Sequence, residues 1–271
     1  MSNKPALRDH RLRIMEGVLA WEGEIGNTRV RELFDIQPVQ ASRLLADFRA
    51  LMSNRIVEDG RAKVLKPSDK EGLMTDIPLE DYVRHTSAFA DPRPYIIDAR
   101  VDLTEVKPVT FATLRSAVKN GTGVKIRYTS MSNPNQNDRV IFPHSIILIG
   151  RRWHVRAWCV TRHEFRDFTL GRILQASPVY DAAPFGRRED KAWNEIVSLK
   201  LFAHRKLSPE QQQVVRIEYF NGEEHRILPT RACLVQYVIQ DLRVAINPEK
   251  ELPPDFQLEI SAKEPLINFL F

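Results

Sequence analysis

The sequence predicts a multidomain α+β protein. An N-terminal winged helix leads to a small, strongly bent central β sheet or open barrel, and an α/β C-terminal lobe follows. Three observations predict it. Residues 1–67 run helix, short helix, tight turn, helix, hairpin, the order of a winged helix-turn-helix. From Val124 the apolar period changes to two, in short runs separated by turn residues. Charge is uneven along the chain: residues 111–180 hold 11 basic against 3 acidic residues, while 68–110 hold 5 against 9. A basic block in mid-chain points to an anionic ligand or nucleic acid.

Composition removes several classes. At 271 residues the chain has room for two or three compact units, and 43% hydrophobic content excludes general disorder. No apolar run approaches the length of a transmembrane helix, and no secretory leader is visible, so a cytoplasmic setting without membrane contact is expected. Cys159 and Cys233 cannot form a disulfide framework or a cysteine-based zinc site.

Each element has its local reason. Residues 7–25 carry a widened apolar stripe and are stopped by Gly26-Asn27, a C-cap pair. Thr28 can cap a short helix through Phe34, and Pro38 suits the first turn of a third helix. That helix places Ala41, Leu44, Leu45, Phe48, Leu51 and Met52 on one face. In 54–66, two β-prone runs flank Asp59-Gly60, the pair preferred in a type I′ turn.

Residues 68–110 are acidic and proline-rich. They read as a connector or dimerisation segment with one helix near 79–89. A helix from Phe111 opens the next domain, 111–180, whose strands begin at VKIRYTS and continue through RVIFPHSIILIG, RWHVRAWCV and FRDFTLGRI. After a short linker, 188–271 mixes strands (VSLKLFA, VVRIEYF, FQLEIS) with an amphipathic helix, TRACLVQYVIQDLRV.

A helix that reads the major groove needs short polar or arginine side chains near its N-terminus. Gln40, Ser42 and Arg43 occupy those positions, and Arg43 can take a guanine bidentately. Thr28 and Arg29 are placed to meet phosphates, and Arg61 and Lys63 lie just past the wing turn. Acidic Asp35, Asp47, Glu58 and Asp59 dilute this patch, and a winged helix can also serve protein contact.

In the basic β domain, alternation puts Arg152, His154, Arg156 and Trp158 on one face. Arg166, Phe168, Leu170 and Arg172 share a parity on the last strand, and the turn holding Ser130 and Ser132 enters the same sheet. Arginine forks with small hydroxyls can clamp a phosphate-bearing ligand. The competing arrangement pairs these arginines with Asp167 and Glu164 or with the acidic connector.

Catalysis finds no support. HEFRD lacks the second histidine of a zinc helix, and no nucleophile elbow, phosphate-binding loop or dinucleotide fingerprint is present, so no cofactor or metal is expected.

RWHVRAWC, with PHSIILIGR before it and FRDFTLGRI after it, resembles the core of a WYL domain, an Sm-like small β-barrel fold. Two letters of the Trp-Tyr-Leu triplet differ, as it falls on Trp153-His154-Val155. The full chain resembles the WYL repressors of the BREX- and CBASS-associated phage-defence type: winged helix, WYL domain and C-terminal extension. The resemblance implies a homodimeric transcriptional repressor of a phage-defence operon that binds an inverted-repeat operator in double-stranded DNA. It also implies a WYL domain that senses a nucleotide or nucleic-acid anion. Carried over by position, the ligand residues are Ser130, Ser132, His144, His154, Arg156, Arg166 and Arg172. A nucleic-acid-binding accessory subunit of a defence complex, with no promoter of its own, is the rival reading.

Overall fold

The computed structural model describes residues 4–69, 72–86, 104–131, 134–135 and 137–260. Two compact units, residues 1–100 and 101–271, divide the chain.

In the first unit, α1 (Lys4–Glu22), β1 (Ile25–Gly26), α2 (Asn27–Phe34), α3 (Pro38–Leu51), β2 (Ile56–Asp59), β3 (Val64–Pro67) and α4 (Leu79–Thr86) follow in order. The first helix ends earlier than its periodicity suggests, at Glu22 rather than residue 25. Gly23 takes φ +78° and its N–H closes on the Leu19 carbonyl, so the chain leaves the helix before Ile25. Ile25 then pairs with Leu65, giving a three-stranded sheet in the order β1-β3-β2. Thr28 does not cap α2. Gly26 holds the N-cap position in extended backbone, and Asp35 ends the helix in the left-handed region.

The wing turn is longer than a two-residue Asp-Gly hairpin. Asp59 pairs with Val64, and the Asp59 Oδ1 accepts the N–H groups of Arg61 (3.1 Å) and Ala62 (3.0 Å). Lys63 supplies the left-handed residue at φ 57°. The Asp59 side chain therefore builds a turn of its own, with Gly60 at ordinary φ. The core runs from Leu12 through Val30, Ala41, Leu44 and Phe48 to Leu65, and it includes Tyr82 of α4. The connector helix thus packs into the winged-helix core. Of the expected helix 79–89, residues 87–89 lie outside the described residues, as do 70, 71 and 90–103 of the remaining connector.

In the second unit, α5 (Pro108–Asn120) ends at Gly121, φ +65°. Strands β4 (Thr122–Tyr128), β5 (Asn137–Ile149), β6 (Arg152–Cys159), β7 (Glu164–Thr169) and β8 (Ile173–Ala182) form one sheet in the order β7-β6-β5-β4-β8. The sheet is open, as the strand pattern predicts, and the Sm-like small barrel that the resemblance implies is not closed, because the outer strands β7 and β8 do not pair among the described residues. Bending is nonetheless forced. Leu170–Arg172, a single 3-10 turn, carries the chain from one sheet edge to the other, and that reach is no more than roughly 14 Å. FRDFTLGRI is accordingly two elements. Strand β8 tolerates Pro178 because it lies at an edge.

The C-terminal elements are α6 (Lys191–Asn194), β9 (Ile196–Ala203), α7 (Pro209–Phe220), β10 (His225–Arg231), α8 (Val235–Asp241), β11 (Val244–Ala245) and β12 (Leu258–Ile260). Their sheet runs β10-β9-β12-β11. VVRIEYF, β-prone by composition, is helical. Ser208 caps it through the Gln211 N–H, Pro209 opens it and Asn221 closes it at φ 55°. Start and stop signals outweigh the weak strand propensity of three β-branched residues.

Candidate DNA-reading and anion-sensing sites

Helix α3 buries Ala41, Leu44 and Phe48, which turns Gln40, Ser42 and Arg43 outward. The Oε1 of Gln40 accepts the Gln37 N–H at 3.2 Å, so Gln40 also serves as the box that starts the helix. Arg43 is exposed and has no ion pair among the described residues. Arg61 and Lys63 are exposed at the wing tip, also without carboxylate partners there. Three of the four acids that dilute the patch in sequence are committed elsewhere: Asp47 to Arg8 (2.8 Å), Glu58 to Arg49 (3.2 Å) and Asp59 to Lys66 (3.0 Å), while Asp35 stays exposed at the end of α2. Helix and wing therefore present cations beside three carboxylates, Asp47, Glu58 and Asp59, that are already paired internally.

Arg29 is a correction. Its Nε donates to the Glu22 Oε2 at 2.9 Å and Nη1 reaches Glu32 at 3.4 Å, while the Tyr82 hydroxyl donates to the same Glu22 at 3.0 Å. The guanidinium ties α2 to Glu22 of α1, which Tyr82 of α4 also engages, and is not free for phosphate. Thr28 remains exposed in the first turn of α2.

Strand β6 divides as its sequence parity predicts, but its outward face is not an open one. Val155, Ala157 and Cys159 of β6 enter the core with Leu114 of α5, and His154 and Arg156 project from the other face. Both are buried, at 4% and 7% exposure. The Nε and Nη2 of Arg156 donate to Asp190 at 2.7 and 3.1 Å, and Nη1 reaches Asp167 at 3.3 Å. Asp190 also accepts from His144 Nε2 at 3.1 Å and from the Trp193 N–H at 3.2 Å, which caps α6. Four donors thus converge on one carboxylate. Burial opposes its ionisation, but the hydrogen bonds from His144 and Arg156 and the Arg156 charge prevail and hold it well below its ordinary pKa.

Arg156 thus follows the competing arrangement, paired with Asp167 and further with Asp190, and with His144 it is a correction to the expected ligand set, because neither needs an external anion. Arg156 and His144 form a buried clamp between the β6 sheet and the segment entering the C-terminal lobe. Asp167 completes the clamp unevenly. Burial pushes its carboxyl up despite Arg156, Oδ1 has no partner, and Oδ2 lies 3.5 Å from the Tyr237 hydroxyl. Cys233 beside it is a thiol, pushed up to about 12 by burial.

Arg166 does not join this group. Cross-strand partners share a face, and the partner of Arg156 is Asp167, so Arg166 points to the opposite side, opposite Ala157. It is exposed and pairs with Glu164 at 2.7 Å. Ser132 lies outside the described residues.

The remaining residues make a cationic rim. His154 packs against Tyr237 of α8, ring centroids 4.8 Å apart and planes tilted by 48°, and burial, with the nearby charges of Arg152 and Arg172, lowers its pKa. Its Nδ1 donates to the Arg152 carbonyl at 3.1 Å, which leaves Nε2 as an acceptor while the ring is neutral. The Arg172 carbonyl accepts the Thr129 N–H at 3.3 Å, placing the Ser130 loop beside it. Arg152 and Arg172 have no carboxylate partner among the described residues. Parity along β6 places Arg152 on this face but does not reveal its role. Sequence reasoning misses Asp190, Trp193 and Tyr237 because they come from a different lobe. Among the described residues no group of three potential metal ligands exists, and no helix is long and apolar enough to cross a membrane.

Comparisons agree with this architecture. Residues 8–82 match the BrxR transcriptional regulator winged helix-turn-helix domain, 109–178 the WYL domain, and 196–266 the BrxR transcriptional regulator C-terminal dimerization domain. These are regulatory and DNA-binding domains rather than enzymatic ones. A protein described as DNA-binding transcriptional repressor CapW from Stenotrophomonas maltophilia is 28% identical over 88% of this chain and 83% of its own length. Proteins of the same description from Escherichia coli and Pseudomonas aeruginosa are 28% and 25% identical, each over 97% of this chain and 92% of theirs.

Proposed function

The chain is a WYL-domain regulator with the winged helix and dimerization domain of the BrxR type, and from that premise we propose how it works. It is a DNA-binding transcriptional repressor that acts as a homodimer. Helix α3 reads base edges through Arg43, Ser42 and Gln40, and Arg61 and Lys63 of the wing contact the backbone. The observation that carries this reading is the set of unpaired cations, Arg43, Arg61 and Lys63, on α3 and the wing, with Asp47, Glu58 and Asp59 already paired internally. Two-fold symmetry makes its operator an inverted repeat, and the operon it represses is a phage-defence one. Such a regulator works in the cytoplasm, where its DNA is. In a mobility-shift titration, full-length protein should retain a duplex enriched from a random-sequence pool in preference to the unselected pool. Equal retention of both would refute the reading.

Control is exerted by a nucleotide or nucleic-acid anion at the Sm-like WYL sheet. The anion sits at the rim of Arg152, Arg172, Ser130 and His154 rather than at the Arg156 clamp. An incoming phosphate supplies the negative charge those two arginines lack, and it favours the imidazolium form of His154, which can then donate. Arg172→Glu should abolish any change in duplex affinity caused by a short single-stranded oligonucleotide. Arg166→Glu, on the other face of the sheet, should leave that change intact. Loss with Arg166→Glu but not with Arg172→Glu would move the site to the opposite face.

A further inference from the structure

We propose that Asn27 is a positioning residue for DNA recognition, fixing the Ser42 hydroxyl as a donor toward an acceptor atom of the duplex. The inference rests on α3 being the recognition helix and adds the polarity of one of its contacts. The Asn27 Nδ2 donates to the Pro38 carbonyl at 3.1 Å and to the Ser42 Oγ at 2.9 Å. A carbonyl oxygen can only accept, so the atom facing Pro38 must be the amide nitrogen, and this settles the orientation of the carboxamide. Its two protons go one to each oxygen. The Ser42 Oγ is therefore the acceptor in that pair.

The Ser42 proton then needs a destination of its own. A serine inside a helix ordinarily donates to the carbonyl four residues back, which here is Pro38. In α3 that oxygen already receives the Ser42 N–H as part of the helix ladder, and Asn27 takes its second lone pair. No other protein acceptor contacts the Ser42 hydroxyl among the described residues. Ser42 is exposed, so its proton is presented outward. A donor in the major groove selects purine N7, guanine O6 or thymine O4, and rejects the amino groups of adenine and cytosine. A phosphate oxygen offers the same acceptor chemistry. The same two hydrogen bonds join the N-terminus of α2 to the first two turns of α3, so Asn27 sets where this donor sits.

The test uses full-length protein and a duplex enriched from a random-sequence pool. Ser42→Thr keeps the hydroxyl and should bind within about twofold of wild type, whereas Ser42→Val, of nearly the same shape, should weaken binding on the order of tenfold. Asn27→Ala should weaken it comparably, and the double variant Asn27→Ala/Ser42→Val should bind no worse than Ser42→Val alone. Melting temperatures should stay near wild type throughout. Replacing purines with 7-deazapurines, or single phosphates with methylphosphonates, identifies the acceptor. Whichever substitution weakens wild type but not Ser42→Val marks it, and either result supports the proposal. Asn27→Ala binding like wild type, or a loss that adds to that of Ser42→Val, would overturn it. A wild-type protein with no preference for the enriched duplex would instead refute the DNA-reading function itself.

Discussion

Asp190→Ala should cost the full-length protein about 3–5 kcal/mol, read as a fall in urea-unfolding free energy, because it strands a buried guanidinium. Arg156 is 7% exposed and gives two of its hydrogen bonds to this carboxylate. The substitution also leaves His144 Nε2 and the first turn of α6 without their acceptor. Adding Arg156→Met should recover part of the loss, since removing both charges leaves less to compensate than removing one. The acid limb gives an independent check. The folded pKa of Asp190 lies below its unfolded value, so its contribution is complete above about pH 4 and is lost as pH falls through the folded value. Asp167 has the opposite sign: burial raises its pKa, so protonation of the folded state is favoured as pH falls. Wild type should lose stability below about pH 4, and Asp190→Ala should lose less there. A cost under about 1 kcal/mol would mean that the clamp is not what joins these elements.

Arg43→Ala should cost about 1–3 kcal/mol at the operator and relax preference at one base pair in each half-site. The residue is exposed, faces outward from α3 and pairs with no carboxylate among the described residues, so its removal should leave folding unchanged. Lys63→Ala should differ in kind. As a wing cation it should weaken enriched and random duplexes alike and reduce the salt dependence. Unchanged base preference in Arg43→Ala would take the recognition role away from this helix.

The features legible in the sequence are those set by near neighbours. Pro38 and the apolar spacing of Ala41, Leu44 and Phe48 define α3, and the parity of RWHVRAWC separates core from outward residues in β6. What the sequence hides is set at a distance. Arg156 and Asp190 are 34 positions apart, and only the packing of the C-terminal lobe brings them together. Arg166 and Arg172 share a parity along the chain. Their separation follows from the strand register and from the 3-10 turn at Leu170–Arg172, neither of which parity encodes. Helix α7 is a different failure. Its β-branched residues outweighed a readable signal, the Ser208-Pro209 start with Gln211 completing the box. Strand β8 went unread because Pro178 argues against a strand unless its edge position is known.

The most direct test of the central claim, a dimeric repressor reading two half-sites through α3, is the stoichiometry and spacing dependence of operator binding. Full-length protein would be titrated against an enriched inverted-repeat duplex and against the same duplex with about five base pairs inserted between half-sites, half a helical turn. The account predicts two protomers per duplex and a loss of affinity on the order of a hundredfold on insertion, because linked half-sites can no longer be engaged together. One protomer per duplex with affinity indifferent to the insertion would contradict it.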